Sequence, residues 1–157
     1  MSGWHARPFK DALSQVCKHV YAVDGHPDVT KLPGHDNMQY VVADITKRID
    51  AIPDNSLDRV FCISVLEDLR EIVADALREF ARCVKADGLI VITFDSQYDY
   101  GKPLAQYPGV PIDVFEKAVK DAGLEFVGGI DRRKDNALFH EGFNLAVFHC
   151  VLRYAAR

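Results

Sequence analysis

The sequence predicts an α/β fold with a mostly parallel sheet, and three observations carry that expectation. Strand-like and helix-like runs alternate along the 157 residues, with connections long enough for parallel crossovers. The strand-like runs are nearly continuous in Val, Ile, Ala and aromatic residues, as in strands covered on both faces. Three of them close on an aspartate, at Asp24, Asp44 and Asp95. In open α/β sheets the carboxyl ends of strands are where ligands bind, and a carboxylate there accepts ribose or adenine hydrogen bonds.

The elements follow in order. Phe9, Leu13, Val16, Cys17 and Val20 recur at helical spacing, and Pro8 suits a first turn, where its missing N–H would be unpaired anyway; a helix over about 8–18 results. A strand over about 19–24 runs into the turn Gly25-His26-Pro27, and a polar stretch from Lys31 to Asp36 leads to a second strand over about 39–43. Ile52-Pro53-Asp54-Asn55-Ser56-Leu57-Asp58 is turn chemistry that delivers the chain into a third strand over about 59–64. Leu69, Ile72, Val73, Leu77, Phe80, Ala81 and Val84 form the apolar stripe of a helix over about 69–84, stopped by Asp87-Gly88. Leu89 to Asp95 is the strongest strand, rich in branched residues.

Ser96 to Val110 carries two prolines and three tyrosines and reads as a long loop, with Tyr98, Tyr100 and Tyr107 either facing a substrate or packing on the surface. A helix over about 111–122 ends at Gly123. Strands over about 124–130 and 143–153 have no helix between them and are expected as an antiparallel pair at one edge, separated by the unpatterned stretch Asp131 to Gly142.

Bulk properties exclude several functions. A chain of this length forms one domain, residues 1–157, burying roughly 68 to 70% of its unfolded surface. No apolar run approaches the roughly 20 residues of a membrane span, and no leader pattern is visible, so a cytoplasmic protein is expected. The net charge of −4 argues against a nucleic-acid-binding face, since the one basic cluster, Arg132-Arg133-Lys134, is flanked by Asp131 and Asp135. Cys17, Cys62, Cys83 and Cys150 form no C-x-x-C pair and the six histidines lack metal-ligand spacing, so no metal is predicted.

Together these residues resemble a class I S-adenosylmethionine-dependent methyltransferase of the type 11 kind. Val20 to Gly25 resembles that family's second strand with its ribose-binding acid, and Val41 to Ile45 its third strand with the aspartate near the adenine. Ile52 to Val60 is similar to the approach to strand four, Ser64-Val65-Leu66-Glu67-Asp68-Leu69 to the segment after it, and Phe80 to Leu89 to the turn into strand five. The resemblance covers about residues 8–153 and implies a Rossmann-like sheet with helices on both faces.

Three departures stand out. The family's first strand and glycine-rich turn have no counterpart, so the domain is expected to be truncated; Asp68 replaces a histidine; and Ala86-Asp87 replaces a proline-glycine. Losing two or three hydrogen bonds of roughly 1.5 to 3 kcal/mol each to a charged ligand removes about 3 to 9 kcal/mol, enough to make cofactor binding weak or to abolish it.

The resemblance implies cofactor-binding roles for Asp24, Gly25, Asp44, Ile45, Ser64 and Val65. Each has an ordinary structural alternative. Asp24 could cap the turn at Gly25-His26, Asp44 could cap the turn before Thr46, and Ser64 and Val65 could simply pack at a strand–helix junction. Glu67 and Asp68 are weak candidates for a general base, with helix capping as the alternative. The function expected is S-adenosylmethionine-dependent methyl transfer to a small-molecule acceptor. The alternative is an inactive methyltransferase-fold module for assembly, in which self-association or a partner chain covers the place of the missing strand.

Overall fold

The computed structural model describes residues 7–69, 72–97, 109–130, 138–140 and 145–156. The chain divides into two compact units, Met1–Pro53 and Asp54–Arg157. The architecture is mixed α/β and Rossmann-like, with parallel strand pairs in both units.

In the first unit, α1 (Arg7–Val16) precedes β1 (Val20–Asp24), and a 3-10 turn at Pro27–Lys31 leads to β2 (Met38–Val42). The two strands pair in parallel, from Val20 opposite Met38 to Asp24 opposite Val42. The turn starts where the sequence allows it, with Pro27 in the opening position and the His26 ring accepting the Asp28 N–H at 3.2 Å. Asn37 ties the crossover to the helix by donating to the carbonyls of Ser14 and Cys17, both at 2.8 Å. Lys10 pairs with Asp11 at 2.8 Å, donates to the Pro33 carbonyl at 3.1 Å and lies 5.5 Å from the centre of the Tyr40 ring.

The second unit holds β3 (Leu57–Ile63), a 3-10 turn at Leu66–Asp68, α2 (Val73–Cys83), β4 (Val84–Gln97), α3 (Ile112–Asp121), β5 (Leu124–Phe126), β6 (Leu138–His140) and β7 (Leu145–Tyr154). Its strand order is β3-β4-β7-β5, with β6 also pairing to β7. β3 and β4 are parallel, whereas β7 runs antiparallel to β4, β5 and β6. The core grows from the alternation Ile90, Ile92, Phe94 on one face of β4, all fully buried. Phe94 meets Phe115 of α3 at 4.5 Å and Phe148 of β7 at 6.1 Å between ring centres. Each such ring contributes roughly 1.5 to 3 kcal/mol through burial. Leu77 and Val73 of α2 and Val119 of α3 complete the layer.

Two expectations change. β4 begins at Val84, five residues before Leu89, and Asp87-Gly88 forms a bulge within it instead of a turn ahead of it. The register passes from Leu57–Val84 to Arg59–Leu89, which leaves the intervening β4 residues unmatched, and a Cβ on Gly88 would come within 3.0 Å of the Asp58 carbonyl oxygen. The C-terminal strands form the expected antiparallel pair at one edge, with β5 outermost and β7 beside it, but a further strand, β6, also pairs with β7. The ten residues of β7 bond β4 on one side and the short β5 and β6 on the other, and β6 comes from the stretch that shows no pattern in sequence.

Candidate functional site

The carboxyl ends of the parallel strands carry the candidate residues, in two groups that belong to separate units. In the first unit, Asp24 closes β1 and Asp44 follows two residues past the end of the neighbouring β2, and the Asp24 carbonyl accepts the Ala43 N–H at 3.0 Å. Asp24 Oδ1 accepts the His26 N–H at 2.8 Å, so the carboxylate does cap the turn. Gly25 is exposed between them, and a Cβ there would meet only the Ala43 carbonyl oxygen at 3.9 Å, leaving room for a ligand to approach the backbone.

Asp44 is more heavily engaged. Its Oδ1 accepts the Thr46 N–H at 3.0 Å and the Thr46 hydroxyl at 2.7 Å, and Oδ2 pairs with Lys47 at 3.2 Å. The hydrogen bonds from Thr46, first its hydroxyl and then its N–H, hold this carboxyl down at about 2, with Lys47 adding to the effect. A charged carboxylate offers about four acceptor sites, so these contacts do not exhaust it. Ile45, half-buried, presents its backbone next to Asp44. The donor set of an adenosine, hydroxyls and an amino group, suits two carboxylates at this end of the strands.

In the second unit, β3 ends at Ile63 and the chain turns sharply at Ser64, whose φ of 51° is left-handed. The Ser64 N–H is held by the Thr93 carbonyl at 3.0 Å and the Thr93 hydroxyl at 3.2 Å. Ser64 and Val65 are both exposed beyond the strand end. Leu66, fully buried, then anchors the 3-10 turn that carries Glu67 and Asp68.

Glu67 is half-buried with Oε2 shielded from solvent and unpartnered. Burial pushes its carboxyl up to about 7; its own backbone N–H opposes this, the negative charges of Asp95 and Asp68 add to it, and the Asp95 N–H again opposes it. Burial and the Asp68 charge raise Asp95 as well. Near neutral pH Glu67 can therefore give or take a proton. Asp95 and Thr93 do not emerge as site residues from the sequence. The available signal for Asp95 is its position closing the apolar run Leu89–Phe94 in the sequence, although β4 continues to Gln97, while Thr93 is visible only through its contact with Ser64.

Tyr98, Tyr100, Tyr107 and Arg132 to Lys134 lie outside the described residues. Among the described residues no group of three His, Cys, Asp or Glu could hold a metal, and no helix is long and apolar enough to cross a membrane. Cys62, Cys83 and Cys150 are buried thiols pushed up to about 12, chiefly by burial, and are poor nucleophiles.

Comparison with known proteins decides the family. A family model described as a methyltransferase domain matches residues 2–92, more than half of the chain. The chain belongs to this methyltransferase family. No curated protein matches the methyltransferase chain. Its fold is similar to that of the [4+2]-cyclase SpnF, with a TM-score of 0.70 and 11% identity over 97% of this chain and 72% of that one. It is also similar to LepI in complex with SAM, with a TM-score of 0.66 and 12% identity over 98% of this chain and 40% of that one. A TehB-like SAM-dependent methyltransferase from Corynebacterium glutamicum gives a TM-score of 0.64 and 22% identity over 93% of this chain and 73% of that one. At these identities the structural neighbours establish the methyltransferase fold and not the reaction, and SpnF is itself a [4+2]-cyclase.

Proposed function

We propose that the chain is a cytoplasmic, single-domain S-adenosylmethionine-dependent methyltransferase with a small-molecule acceptor. The observation that carries this reading is the placement of Asp24 at the end of β1 and of Asp44 two residues past the end of the adjacent parallel β2, in a member of a methyltransferase family. The structure of LepI with SAM supports the choice of cofactor. Asp24 and Asp44 would accept hydrogen bonds from the adenosine, with Gly25 and Ile45 offering backbone beside them. In the second unit Ser64 and Val65 would contact the cofactor, and Glu67 would take the proton of an acceptor hydroxyl or amine, with Asp68 as a second carboxylate. Bound S-adenosylmethionine supplies the methyl group.

Isothermal titration of the purified chain with S-adenosylmethionine and S-adenosylhomocysteine tests the reading. Neither heat nor thermal shift at millimolar ligand would reject it.

A second reading, an inactive assembly module, is favoured by apolar exposure along β3, which stands at the end of its strand order. Ile63 and Val65 are 39% and 38% exposed there, a surface that self-association or a partner strand would cover. Light scattering discriminates, and a stable monomer at high concentration with measurable cofactor binding would count against the module.

A further inference from the structure

The turn that ends β3 is strained. Two described residues other than glycine have positive φ, Asn55 and Ser64, both at 51°. Asn55 sits in an exposed turn, and asparagine tolerates the left-handed conformation because its short side chain bonds locally. Serine has less such help, so something outside the turn must hold Ser64 there.

Thr93 provides that hold. It stands opposite Ile63 in the parallel register, and its carbonyl and hydroxyl oxygens both accept the Ser64 N–H, at 3.0 and 3.2 Å. The turn is pinned on its other side by Leu66, which is fully buried. A valine at position 93 would fill the same volume and suit a strand equally well, but could not accept this bond. The hydroxyl is the feature that the strand itself does not require.

We infer that Thr93 is a positioning residue, its hydroxyl fixing the left-handed turn at Ser64 that presents Ser64 and Val65 at the carboxyl end of the sheet. The inference rests on the reading above, in which those two residues contact the cofactor.

The test compares wild type with Thr93→Val, which keeps the shape and the backbone carbonyl bond but loses the hydroxyl acceptor, and Thr93→Ser, which keeps both acceptors. Two quantities are measured: exchange of the Ser64 amide by NMR, and affinity for S-adenosylhomocysteine by titration. In Thr93→Val the amide should exchange about five-fold faster and the ligand should bind about five-fold more weakly, the effect of one net hydrogen bond. Thr93→Ser should stay within about two-fold of wild type in both, since it restores that bond. Unchanged exchange in Thr93→Val, a Thr93→Ser protein as impaired as Thr93→Val, or faster exchange with unaltered affinity would each overturn the inference. If Thr93→Val does not fold, Thr93→Ala against Thr93→Ser makes the same comparison. A wild-type chain that binds no ligand rejects the methyltransferase reading and with it the cofactor-positioning role, while the Ser64 exchange rates still decide whether the hydroxyl holds the turn.

Discussion

Asp24 and Asp44 lie at the ends of adjacent parallel strands two residues out of step, since Asp24 stands opposite Val42 and its carbonyl takes the N–H of Ala43, the residue just before Asp44. Their carboxylates are nonetheless in different situations. Asp24 caps a turn through Oδ1 and His26, whereas Asp44 is bound through both oxygens by Thr46 and Lys47. Asp24→Ala should therefore weaken S-adenosylhomocysteine binding by about ten-fold to a hundred-fold, the worth of one hydrogen bond to a charged group. Asp44→Asn keeps an oxygen for Thr46 and should weaken it less. Titration calorimetry on both variants checks this, and an Asp24→Ala protein that binds like wild type would remove the adenosine role.

The Glu67 carboxyl gives stability a pH dependence whose sign can be fixed. Its ordinary value is 4.5 and burial raises it to about 7 in the folded chain. Between those values the folded chain holds a proton that the unfolded chain has released, so stability falls as pH rises through the window and levels off above it. Asp95, also raised by burial, acts in the same direction. Glu67→Gln should flatten this slope in urea melts recorded from about pH 4.5 to 8. An unaltered slope would show that Glu67 is not the group responsible.

Gly109 lies against the end of β4, where a Cβ would overlap the Asp95 carbonyl oxygen and crowd the Ser96 Cα. That carbonyl accepts the Val110 N–H at 3.0 Å, so the backbone has little room to yield. Gly109→Ala should cost about 1 to 3 kcal/mol, as overpacking does. A lowered urea midpoint with unchanged slope is the expected record.

Asn37 gives both of its amide hydrogens to carbonyls at the end of α1, those of Ser14 and Cys17. Asn37→Ala should destabilise the docking of this helix by about 1 to 2 kcal/mol, read as faster amide exchange in α1. Protection equal to wild type would assign the docking to the apolar face of the helix alone.

The elements were legible in the sequence where local chemistry sets them. The stripe of Val73, Leu77, Phe80 and Ala81 marks α2, the branched run from Leu89 to Asp95 marks the central half of β4, and Asp24 marks the end of β1. Periodicity and turn residues act over a few positions, and so a few positions suffice to read them. The same holds for the candidate pair Asp24 and Asp44, each visible as an acid at the end of an apolar run.

Only the tertiary structure decided the rest. Val84 to Gly88 joins β4 because the strand pairs with residues at Leu57 and Arg59, and β6 joins the sheet because it pairs with β7. The raised Glu67 depends on packing beside Asp95, and the left-handed Ser64 depends on the Thr93 hydroxyl, both partners lying about thirty residues away in sequence. Strand register and the loss of water around a carboxyl are set by atoms from distant parts of the chain, so no local pattern records them.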